Sequence, residues 1–139
     1  MSSRTKSRKR AVDALYAADL RDAMATELLE QTKKSVIDHQ NQDEIFDFAN
    51  QLVEGVLANQ LEIDALLDTV SQNWPLDRMP AVDRAILRVA TFELVYESET
   101  PAEVVISEAV ALAGELSTDD SSTFVNGVLA AIAATRKPI

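Results

Sequence analysis

An all-α fold is predicted for this chain on three observations. Its 139 residues and 47% apolar composition suit one domain organised by a single hydrophobic core. Three glycines and four prolines are too few for the turns of an all-β sandwich or barrel. Apolar residues recur at three- and four-residue steps through most of the length, which makes six or seven helices and no convincing strand.

The first helix is expected over Ser7 to Asp22, with Ala11, Ala14, Leu15 and Ala18 on one face. Arg4 and Lys6 then belong to a flexible tip, while Arg8 and Lys9 ride on the first turns. A short helix from Ala25 to Gln31 precedes a polar connector containing His39, which has no nearby ligand or nucleophile and reads as a loop or surface residue. From Asp43, the stripe Ile45, Ala49, Leu52, Val53 and Val56 continues through Leu61, Ile63, Leu66, Leu67 and Val70 towards Trp74 and Pro75, as one kinked helix or two. Gly55 and Gly127, each inside a helix, suggest close packing against a neighbour, because glycine there is otherwise unfavourable.

Residues 81 to 96 are apolar around most of the helix and are expected to form the central, buried element, with Arg88 in a structural ion pair. Thr100-Pro101-Ala102-Glu103 has the order of an N-cap, a first-turn proline and a capping-box acid. The next helix should stop near Gly114 and Ser117. The last opens between Ser117 and Asp120, with acids at its positive end, and runs through Phe124, Val125, Val128, Leu129 and Ile132.

Charge is strongly segregated. The net value is −10, yet residues 1 to 10 carry Arg4, Lys6, Arg8, Lys9 and Arg10 with no acid, leaving 8 cations against 23 acids in the remainder. Such polarity suggests a basic surface for phosphates and an acidic one for a basic partner. Cations at a helix N-terminus oppose its dipole, which hints at a functional reason for their placement; a solvated, solubilising start is the alternative. No cysteine is present, so disulfides and thiolate sites are excluded. No apolar run approaches a membrane span and no signal-peptide core follows the basic start, so a cytoplasmic location is expected, with no membrane association. Glycine-rich phosphate loops, zinc spacings and nucleophile triads are also missing, and the chain is read as a non-enzyme without a cofactor or metal.

The order of motifs then becomes specific. Arg8-Lys9-Arg10-Ala11 with Ala14-Leu15-Tyr16 is followed by Trp74-Pro75-Leu76-Asp77-Arg78, by Val82-Asp83-Arg84-Ala85-Ile86-Leu87-Arg88, and by Phe92-Glu93-Leu94. Pro101, Val105-Ile106 and Glu108-Ala109-Val110 continue the series, and Phe124-Val125-Asn126-Gly127-Val128-Leu129 closes it. Across nearly its whole length the chain resembles the NusB family of transcription antitermination proteins.

That resemblance implies two packed helical subdomains, divided here at about residues 1–58 and 59–139. It also implies a role in antitermination complexes with RNA polymerase, binding boxA-type RNA of ribosomal RNA leaders together with NusE, a small-subunit ribosomal protein. The implied RNA-binding residues are Arg4, Lys6, Arg8, Lys9, Tyr16, Asp120, Ser121 and Phe124, with Tyr16 or Phe124 able to stack on bases. Phe124 fits the core equally well. Asp77 and Asp83 match the partner-contacting region, with surface salt bridges as the alternative. Thr123 and Gly114 stand where relatives often carry lysine, which implies fewer phosphate contacts and more reliance on the partner protein. A protein-only helical adaptor with an incidental basic tail is the competing reading, and an unpartnered helical face also allows a homodimer. A similar domain precedes the Rossmann-like domain of ribosomal RNA cytosine methyltransferases, but with no glycine-rich loop of that kind here, methyl transfer is not expected.

Overall fold

Ser2 opens the first helix, its hydroxyl accepting the Thr5 amide at 3.1 Å. The computed structural model describes residues 2–36, 41–71, 74–97 and 99–135. Helix α1 spans Ser3–Arg21, beginning a full turn earlier than apolar periodicity placed it. Arg4 and Lys6 are therefore helical and not a waving tip. The polar first turn is invisible to a hydrophobic pattern, but its serine cap is sufficient to start it. Asp22 closes α1 in the left-handed region, at φ 51°.

Helix α2 runs from Ala25 to Ser35, a turn beyond the expected end; His39 lies outside the described residues. The long apolar stripe is two helices, α3 (Gln42–Ala58) and α4 (Gln60–Val70). They break at Asn59, whose side-chain amide donates to the Gly55 carbonyl at 2.8 Å. A 3-10 turn at Leu76–Arg78 follows, its first amide donating to Asp68 at 3.1 Å. Helices α5 (Ala81–Val95), α6 (Ala102–Leu116) and α7 (Asp119–Thr135) complete the order, and no strand occurs among the described residues.

The expected capping box at Thr100 does not form. Pro101 itself is the N-cap residue, without a side-chain cap, and the Thr100 hydroxyl donates to Glu97 at 3.2 Å. The helix starts one residue late for Thr100 and Glu103 to exchange bonds. By contrast α7 is capped as its composition suggests, with Thr118 Oγ1 accepting the Ser121 amide at 3.1 Å and Asp119 and Asp120 in the first turn.

Helix α5 is the central element, packing against α1, α3, α4, α6 and α7. Ile86, Leu87 and Leu94 are among its fully buried side chains. Gly55 makes the closest approach possible, since a Cβ there would stand 2.2 Å from Cζ of Phe92 on α5.

Gly127 behaves oppositely. A Cβ at that position would meet nothing within 4 Å, so the expectation of tight packing is corrected. Its glycine carries the conformational penalty of a helix interior without a packing reason. Gly127→Ala is therefore expected to stabilise the fold by about 0.5–1 kcal/mol, visible as a rise in thermal midpoint. A fall would mean that something not evident in the fold requires the bare backbone.

Candidate nucleic-acid interface

The basic turns of α1 are anchored before they are presented. Ser7 is buried, its hydroxyl 2.8 Å from the Ile45 carbonyl and 2.9 Å from that of Ser3, which fixes α1 against α3. One residue on, Arg8 is 5% exposed and each of its guanidinium nitrogens is bonded. Its Nε and Nη2 donate to the two Glu93 oxygens at 2.8 Å each, and Nη1 donates to Glu108 at 2.8 Å. Burial alone would make the guanidinium easier to deprotonate, but bonding and attraction from Glu93 and Glu108 outweigh it and raise the pKa. Arg8, which the resemblance implies for RNA contact, is placed here as a buried fork between α5 and α6, held by carboxylates 85 and 100 residues away.

The neighbouring cations remain at the surface. Arg4 is exposed, its guanidinium 3.7 Å from the centroid of the Phe48 ring. Lys6 is exposed as well. Lys9 donates to Glu115 at 2.6 Å across the α1–α6 interface, a bond that raises its pKa. Arg10, absent from the expected site, lies 5.4 Å from the Phe46 centroid. Lys6, Lys9 and Arg10 share a hollow of about 300 Å³ with Asp13. Burial pushes the Asp13 carboxyl up, while Lys9 and Arg10 pull it down without fully compensating. Arg10 was legible only as one of five clustered cations; which of the five face outward depends on helix register and on distant acids.

The opening of α7 contributes less than expected. Asp120 is exposed, but Ser121 is 5% exposed and its hydroxyl donates to Asp83 Oδ2 at 2.8 Å. The bond joins a residue expected at the RNA site to one expected at the partner surface. Ser121 is turned inward and Asp83 is 0% exposed. Together they tie the first turn of α7 to that of α5. Phe124 is half-buried and meets Trp74 edge-on, ring centroids 4.8 Å apart at 62°, so both expected roles have a physical basis. The pair borders a groove of about 500 Å³ with Thr123 and Gly127. Tyr16 is 38% exposed on α1. Because Asp120 follows Glu115 by only five residues, α7's opening lies within roughly 18 Å of the contact between α6 and Lys9.

The acidic side is separate. Asp77 is exposed and lines a hollow of about 670 Å³ with Asp19, Asp64 and Asp68. Arg88 occupies its wall as the ion pair expected of it, donating to both Asp64 oxygens at 2.9 Å and to Asp19 at 3.3 Å. Among the described residues, no group of acids and histidines is placed to hold a metal ion, and no helix is long and apolar enough to cross a membrane.

Comparison with known proteins agrees with this architecture. The chain is 48% identical over 136 residues to the transcription antitermination protein NusB of Clavibacter michiganensis subsp. michiganensis (strain NCPPB 382), covering 98% of this chain and 99% of that one. Its fold matches T. maritima NusB with a TM-score of 0.87 at 33% identity, over 97% of this chain and 93% of the other. A chain in the crystal structure of antitermination factors NusB and NusE in complex with dsRNA matches with a TM-score of 0.85 at 27% identity, over 98% and 99% of the two chains. A model of the NusB family covers residues 5–134, and the chain belongs to the NusB family.

Proposed function

We propose that this chain is a cytoplasmic transcription antitermination factor that acts by binding and not by catalysis. In this reading it recognises boxA-type single-stranded RNA of ribosomal RNA leaders together with NusE, within a complex containing RNA polymerase. The observation that carries the proposal is the hollow where Lys6, Lys9 and Arg10 converge on an otherwise acidic protein. Phosphates would be drawn to that concentration of cations. Arg4 adds an exposed cation beside Phe48, outside that hollow, and Tyr16 and Phe124 offer rings on which unpaired bases can stack. The exposed acids around Asp77 suit a basic ribosomal protein. A related fold occurs in a complex with NusE and double-stranded RNA, which supports both partner classes.

The test is fluorescence anisotropy with boxA and scrambled RNAs, with and without NusE, over a range of salt. Wild type is compared with a variant carrying alanine at Arg4, Lys6, Lys9 and Arg10; Arg8 is left in place because it is buried. Wild type should prefer boxA, and the variant should bind roughly tenfold or more weakly, its salt slope shallower by about 0.7 for every phosphate it no longer neutralises. Equal binding of both RNAs by wild type, even with NusE present, would refute the reading in favour of a protein-only adaptor.

A further inference from the structure

Glu115 stands apart from the other acids that meet α1. Glu93 is buried and Glu108 is largely so, and both belong to the structural fork around Arg8. The Lys9–Glu115 pair is open to solvent, with side-chain exposures of 33% and 44%, although its 2.6 Å contact is the shortest ion pair on the basic face. A pair so exposed adds little to folding stability. It does, however, occupy one of three cations that line the basic hollow.

We propose that Glu115 is an internal competitor for RNA, a carboxylate that holds Lys9 where a phosphate would otherwise bind and so sets the affinity of the basic face. The inference rests on the RNA-binding reading above and deepens it. A carboxylate and a phosphate present the same chemistry to an ammonium group, namely anionic oxygens accepting charge-assisted hydrogen bonds. A phosphate approaching Lys9 must also approach the Glu115 carboxylate, and like charges repel at that range. Binding therefore requires either displacement of Glu115 or tolerance of that repulsion. Asp13, one turn beyond Lys9 on α1, adds to the negative field in the same hollow, while Arg10 acts against it. The arrangement keeps the face weak for chance phosphates while leaving a cation that a correctly placed RNA can recruit.

The experiment titrates a short fluorescein-labelled single-stranded boxA-type RNA with wild type, Glu115→Gln, Lys9→Ala, the double variant and Glu103→Gln, at several salt concentrations. Glu103 is an exposed acid in the first turn of the same helix, roughly 18 Å along its axis from Glu115 and beyond the screening length, so it controls for net charge. Glu115→Gln should bind roughly two- to fivefold more tightly than wild type, with a salt slope steeper by about 0.7. Glu103→Gln should bind like wild type, and the gain should vanish when Lys9 is alanine. A Glu115→Gln affinity equal to wild type, or a gain that persists without Lys9, overturns the inference while leaving RNA binding intact. Absence of RNA binding by every form, with NusE supplied, overturns the functional reading and the inference together.

Discussion

Replacing Arg8 with alanine is expected to destabilise the protein by about 3–5 kcal/mol, lowering the thermal midpoint by on the order of 10 °C. The size follows from what remains behind. Glu93, 1% exposed, loses both guanidinium bonds, and leaving a buried carboxyl group without its partner is costly. Glu108 is less affected because its carboxylate reaches solvent and still accepts from Thr5 at 2.6 Å. Thermal or urea denaturation of Arg8→Ala beside Lys6→Ala separates structure from binding, since Lys6 is exposed and its replacement should leave stability within about 0.5 kcal/mol. The double replacement Arg8→Met with Glu93→Met should recover most of the loss, because apolar residues of similar volume can replace a buried ion pair. A midpoint for Arg8→Ala within a degree or two of wild type would rule out the fork as a structural clamp.

Gly55→Leu should have a comparable effect by the opposite route, adding atoms where none fit. The end of the Phe92 ring lies over the glycine, with Cζ, Cε1 and Cε2 all within 2.7 Å of where a Cβ would stand. Phe92 cannot swing aside freely, as it stacks on Tyr96 with centroids 5.8 Å apart, and Tyr96 in turn is hydrogen-bonded to Glu62. Leucine must therefore push α3 away from α5, at about 3 kcal/mol or more after the small gain in helix propensity. Combining Gly55→Leu with Phe92→Ala opens the space that leucine needs, so the pair should be less destabilised than the sum of the single changes. Strict additivity in denaturation experiments would contradict a steric origin for the effect.

Periodicity was a good guide wherever a side chain's role depends on its own helix. The stripe from Ile45 to Val56, the all-round apolar character of α5 and the paired Arg88 are all found as the residues suggest. It failed where a role depends on distant partners. Arg8, Asp83 and Ser121 read as surface residues by type, yet each is buried through acids or hydroxyls between 38 and 100 residues away. Gly55 and Gly127 differ for the same reason, since a helical glycine looks alike whether a ring or solvent stands opposite. Arg10 and Glu115 were missed because register decides which of five neighbouring cations share a hollow, and nothing local links position 9 to position 115. Motif order was informative on a different basis, because it summarises a whole fold and carried the family where single positions were ambiguous.

The fork around Arg8 also bears on how the chain is made. Arg8 is translated 85 residues before Glu93 and 100 before Glu108. At about 5–20 residues per second, α1 waits roughly 5–20 s for the carboxylates that neutralise it. Through that interval the helix has a charged residue on the side that must later be buried, so docking onto α3 alone would strand the guanidinium. Closure is thereby deferred until α5 and α6 have emerged, which couples the first helix to the last third of synthesis and favours one late, cooperative folding step over stepwise accumulation from the N-terminus.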